Sequence, residues 1–83
     1  MTAAPLPASG SLHLSWSLPR AGNASMEVID ALGRQVARPL AGSWREAGSG
    51  GLTLRTDGWR PGVYMVRLRA NGSEVDTRIV VVQ

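Results

Sequence analysis

Residues 11–18, Ser-Leu-His-Leu-Ser-Trp-Ser-Leu, alternate polar and apolar side chains without a fault. A period of two belongs to an extended chain, whose side chains point to opposite faces in turn. Leu12, Leu14, Trp16 and Leu18 therefore share one buried face of a strand. The pattern recurs at residues 24–29, with Ala24, Met26 and Val28 inward, and at residues 63–70, with Tyr64, Val66 and Leu68 on one face. It returns at residues 74–82, where Val75, Thr77, Ile79 and Val81 oppose Asp76, Arg78, Val80 and Val82. One-sided alternation is the habit of antiparallel sheets, because parallel strands are covered on both faces.

Between these runs lie turn residues. Asn71-Gly72 is the strongest hairpin signal, since a type I′ turn needs positive φ at both positions. Asp30-Ala31-Leu32-Gly33 reads as a tight turn in which Asp30 bonds the following backbone and Gly33 takes positive φ. A strand over residues 34–40 is expected to stop at Pro39. Residues 41–51 read as a loop with a brief edge strand around Trp44, and strand resumes over residues 52–55. No segment carries a helical period. About seven short strands at turn spacings of roughly 8–12 residues describe an all-β fold, a single antiparallel β-sandwich.

An 83-residue chain suits one domain and buries only about 60–65% of its unfolded surface, which leaves little room for a deep active site. Its nine basic residues are all arginine and are scattered from Arg20 to Arg78. That distribution fits solvated strand faces better than a polyanion site, so no nucleic-acid partner is expected. With no lysine there is no Schiff base and no Lys–Asn isopeptide bond. With no cysteine there is no disulfide, thiolate nucleophile or thiolate metal site. No run approaches the roughly 20 apolar residues of a membrane span. Residues 1–5 lack the basic and apolar regions of a signal peptide, so any export address lies elsewhere or in the fold itself.

The search for chemistry finds no catalytic, cofactor-binding or metal-ligating set. His13 is the sole histidine and falls on the outward face of its strand. Asp30 and Asp57 precede turn glycines. Glu74 and Asp76 share a strand face, but two carboxylates alone make neither a metal site nor an acid–base pair. Residues 48–51, Gly-Ser-Gly-Gly, lack the lysine and following helix of a phosphate-binding loop. The expectation is a protein that is not an enzyme and carries no cofactor.

The three tryptophans raise carbohydrate binding. Trp16 alternates with core leucines and is expected in the core. Trp44, beside Arg45, is the one expected to be exposed. It reads equally as a binding residue or as an anchor for its loop.

Four ordered patterns resemble the C-terminal sorting domains of the type IX (Por) secretion system. Pro5-Leu6-Pro7-Ala8-Ser9-Gly10-Ser11-Leu12 is similar to the family's PNPASG-x-L opening. Val28-Ile29-Asp30-Ala31-Leu32-Gly33-Arg34-Gln35-Val36 is similar to its V-Y-D-x-x-G-R-x-V hairpin. Trp59-Arg60-Pro61-Gly62-Val63-Tyr64-Met65-Val66-Arg67-Leu68 is similar to L-x-x-G-V-Y-x-V-R-L. Residues 73–83 resemble the closing strand. Leu6 stands where the family has Asn, Ile29 where it has Tyr, and Gln83 where many members have Lys or Arg. The pattern also resembles the Ig-like domain of the flagellar hook-capping protein.

The resemblance implies an Ig-like sandwich over residues 11–83, entered through an extended lead-in or linker end at residues 1–10. Pro5 and Pro7 would mark that junction, because proline cannot continue a ladder. Gly33 and Gly62 would serve turns, Trp59 would lie in the core where the family has a buried Leu, and the Tyr64 hydroxyl would reach a backbone group at the sheet's end. The implied function is a non-catalytic sorting and cell-surface attachment domain of a larger secreted bacterial protein. Its partners would be the secretion and attachment machinery of the outer membrane and a covalently linked upstream cargo, and its location the cell surface or the medium, reached via the periplasm.

On this reading residues 73–83, with Val80, Val82 and Gln83, would carry recognition, by adding a strand to a partner's sheet. Against it stands the reading that Val80 and Val82 merely cover the second face of a closing strand. A flat, exposed edge there would invite self-association. The alternatives are a carbohydrate- or protein-binding module centred on Trp44 and Arg45, and a structural Ig-like spacer.

Overall fold

The computed structural model describes residues 1–82. Seven strands form: β1 (Thr2–Ala4), β2 (Ser11–Leu18), β3 (Gly22–Ile29), β4 (Gln35–Arg45), β5 (Gly48–Arg55), β6 (Gly62–Ala70) and β7 (Ser73–Val81). They build two antiparallel sheets, one ordered β1-β2-β5 and the other β4-β3-β6-β7. This is the expected all-β sandwich.

The alternating faces meet in one core. Leu12, Leu14, Trp16 and Leu18 of β2 pack with Met26 and Val28 of β3, Val66 and Leu68 of β6, and Ile79 and Val81 of β7. Burial of such side chains stabilises by roughly 1.5–3 kcal/mol each before chain entropy is subtracted. Asn71 (φ 53°) and Gly72 (φ 76°) close the β6–β7 hairpin with Ala70 opposite Ser73, the positive angles that a type I′ turn requires.

Three local readings change. Pro39 does not stop the third strand, which runs on to Arg45. β4 is an edge strand, and the missing proline N–H is absorbed where Arg38 and Pro39 together oppose the single residue Glu27. Further irregularities fall at Val36 and Gly42, and Gly42 N donates to Ser25 Oγ at 3.1 Å. Proline and glycine are tolerated at edges and bulges, which also blunt the edge against unwanted pairing.

Residues 41–51 are accordingly not a loop. Only Glu46 and Ala47 separate β4 from β5, and they cross from one sheet to the other. The glycines of β5 have a packing reason: Trp16 stands opposite Gly50, and a Cβ there would lie 2.5 Å from Trp16 Nε1.

The seventh strand is β1 rather than a segment around Trp44. Thr2–Ala4 pairs with His13, Leu14 and Ser15. The chain then passes to the other sheet, where Ala8, fully buried, bridges β7 beside Val81. The stretch expected as a lead-in thus closes the gap between β1 and β7.

Candidate functional site

β7 is the edge of the four-stranded sheet, and its alternation assigns two roles. Ile79 and Val81 are buried in the core, while Val80 and Val82 are 38% and 40% exposed. Val80 stands directly opposite Val63 of β6, itself 43% exposed. The next cross-strand row on this outer face holds Ile29, Met65 and Arg78. The result is an apolar strip on the wet face of the sheet, which sequence reading missed. Its signal was present in the pairing of β6 with β7, once the Asn71-Gly72 turn fixes the register.

Beyond the strip, the outer face is charged, and Arg67 and Arg69 are matched by carboxylates of the same sheet. Arg67 Nε lies 3.0 Å from Asp76 Oδ1 and 3.1 Å from Glu74 Oε1, and Arg67 Nη1 is 3.8 Å from Glu27 Oε1. Arg69 Nε donates to Glu74 Oε2 at 2.7 Å. The Asp76 hydrogen bond, reinforced by the charges of Asp76, Glu74 and Glu27, raises the Arg67 pKa above its ordinary value. These arginines are committed to carboxylates of their own sheet. Each exposed pair contributes little to stability by itself.

The open edge of β7 is partly latched. Ala8 N donates to Val80 O at 2.7 Å, and Val82 N donates to Ala8 O at 2.8 Å. By the two-residue period of an antiparallel ladder, the peptide groups of Glu74, Asp76 and Arg78 point the same way. The Ala8 bridge therefore caps one end of the edge and leaves these three residues beyond it. Gln83 lies outside the described residues.

Trp44 and Arg45 occupy the opposite side of the sandwich, at the end of β4. Trp44 is 62% exposed, and its Nε1 donates to Glu46 Oε1 at 3.3 Å. Arg45 turns inward, with its guanidinium carbon 5.9 Å from the centre of the buried Trp16 ring. The tertiary structure therefore does not unite the five binding candidates into one site. Val80 and Val82 belong to one edge, Trp44 and Arg45 to the other.

The architectural residues cluster at one end. Asp30 Oδ1 accepts from Leu32 N and Arg34 N, both at 2.9 Å, and Gly33 (φ 83°) completes the turn. The backbone N–H of Arg34 is the main cause holding the Asp30 carboxyl below its ordinary pKa. Tyr64 OH donates to Arg60 O at 2.6 Å, and its ring lies 5.1 Å from that of Trp59. Trp59 is only partly buried, packed against the core rather than within it. Gly62 opens β6 opposite Val81, and Pro5 and Pro7 are exposed on the segment that carries Ala8.

Among the described residues, no group of three or more His, Cys, Asp or Glu side chains could hold a metal ion. Nor, among the described residues, is any helix long and apolar enough to cross a membrane. The family described as "Secretion system C-terminal sorting domain" matches the chain over residues 2–82. None of the curated proteins matches it.

Proposed function

Because the chain belongs to the family of secretion-system C-terminal sorting domains, we propose that it directs an attached protein out of the cell through the outer face of β7. Such a domain is the sorting signal of a secreted protein, and it places its bearer at the cell surface or in the medium. The family is not catalytic, so we read this chain as a domain without enzymatic activity.

Its partner is the type IX secretion machinery. The surface proposed to meet that machinery is β7 with Val80 and Val82. The observation that supports this is their exposure beside Val63, on a strand whose alternate residues already complete the core. An apolar strip left on the wet face of a small domain fits a protein partner better than solvent. Attachment of an upstream cargo, and pairing of the open Glu74–Asp76–Arg78 edge with another strand, belong to the same reading.

The test fuses residues 1–83 to a periplasm-directed reporter in a bacterium with a working type IX system. Deleting β7 would remove Ile79 and Val81 from the core, so the informative variant is V80S/V82S, which changes only the outward face. Export of the wild-type fusion, with retention of a folded V80S/V82S fusion in the periplasm, is the expected result. Equal export of both would remove these valines from recognition.

A further inference from the structure

We propose that the β4–β5 corner is a saccharide-binding cleft, separate from the sorting surface on β7. A cleft of about 310 Å³ lies there, lined by Trp16, Trp44, Arg45, Glu46, Ser49 and Gly50. That volume is at the lower end of the range of roughly 300–1,000 Å³ for small-molecule sites, enough for one or two sugar rings rather than an extended chain.

The lining determines the ligand class. Trp44 presents a large part of its indole to solvent, and the bond from its Nε1 to Glu46 restrains the ring. An indole face carries negative quadrupole charge and attracts the polarised C–H groups on one face of a pyranose. Glu46 offers carboxylate oxygens that accept from hydroxyl groups, and Ser49 offers a hydroxyl that both donates and accepts.

Arg45 adds donors. Its Nε is buried without a hydrogen-bond partner, so the guanidinium is not fully satisfied within the protein. That nitrogen is closed to solvent, so a ligand rich in oxygen acceptors would engage the terminal N–H donors of the guanidinium instead. The combination of an aromatic platform, a carboxylate, a hydroxyl and a guanidinium suits a polyol ring. A phosphate would meet the Glu46 charge without a glycine cradle, and an apolar ligand would strand the polar groups.

The fold builds the cleft from both sheets. β4 supplies Trp44 and Arg45, β5 supplies Ser49 and Gly50, and β2 supplies Trp16. Gly50 is necessary to this arrangement, since any side chain there would collide with the Trp16 indole. Glu46 sits on the two-residue crossing between the sheets, so the platform and its carboxylate are held by a short, constrained connection.

The test uses the indole N–H signals of the three tryptophans in a two-dimensional NMR spectrum of the whole chain. The probes are the methyl pyranosides of glucose, galactose, mannose and glucuronic acid, and their linear oligomers, titrated well beyond about 1 mM, where binding is weak but measurable. Binding at the cleft shifts Trp44 and Trp16 and leaves Trp59, at the Tyr64 end of the sandwich, unmoved.

Trp44→Ala weakens that binding at least about tenfold, read from the Trp16 signal, and Glu46→Gln weakens it several-fold. Both variants keep the wild-type thermal midpoint, because the two side chains are exposed. The proposal is overturned if no probe moves the Trp44 signal. It is equally overturned if Trp44→Ala binds as tightly as wild type, or if Trp59 shifts as much as Trp44.

Discussion

Substituting Gly50 by alanine tests whether the glycine-rich strand β5 is shaped by the tryptophan opposite it. Gly50 lies outside the left-handed region, so a Cβ introduces no backbone strain there. The new atom would instead stand 2.5 Å from Trp16 Nε1, 2.8 Å from Cε2 and 3.0 Å from Cζ2. Non-bonded carbons prefer about 3.5–4.0 Å, so the indole must retreat by roughly 1 Å. Trp16 is 6% exposed, and the Arg45 guanidinium lies over its ring.

Overpacking of this kind costs about 1–3 kcal/mol. The alanine also restricts the unfolded chain, which offsets about 0.4–1 kcal/mol. The net loss is about 1.3 kcal/mol at the middle of a range from about 0 to 2.6, equivalent to roughly 5–10 °C in the midpoint of a domain this small. Urea denaturation of Gly50→Ala, Trp16→Leu and the double variant separates the contact from the backbone effect. In the Trp16→Leu background the same alanine should be neutral or stabilising, giving a coupling energy near the whole overpacking cost. A Gly50→Ala variant as stable as wild type would refute the reasoning. So would an equal loss in both backgrounds.

Three further outcomes follow from particular contacts. Ile79→Ala should lose about 2–5 kcal/mol of stability because its side chain is fully buried, whereas Val80→Ala should lose well under half of that, as measured by parallel denaturant titrations. Tyr64→Phe removes the donor to Arg60 O and should cost about 1 kcal/mol, seen as a lowered thermal midpoint with an unchanged far-UV spectrum. The Asp30 carboxyl has a depressed folded-state pKa, so its contribution to stability is present above its ordinary value of 3.8 and fades as pH falls through the lower folded value. Asp30→Asn should flatten that acid limb, and a carboxyl-detected NMR titration of the wild type should place the Asp30 transition below the ordinary range.

The legibility of this chain followed the range of the interactions. The core faces of β2, β3, β6 and β7 could be read from alternation, because the two-residue period is a property of the extended backbone itself. The turns at Asp30–Gly33 and Asn71–Gly72 could be read because their bonds and φ angles lie within four residues. Among the candidate site residues, the exposure of Trp44 was legible, but the cleft around it was not. Its partners come from three strands, and the Gly-Ser-Gly-Gly of β5 signals a loop until Trp16 is placed across it.

The sequence by itself thus determined the strand faces, the hairpin turns and the absence of thiol and lysine chemistry, since these depend on residue type and local backbone geometry. Only the tertiary structure decided that Pro39 could sit within a strand, because that depends on β4 being an edge. It alone also made Ala8 the latch on β7 and left Val80 and Val82 half exposed. Those outcomes depend on which strands become neighbours, and that is settled when two sheets bury their apolar faces against each other.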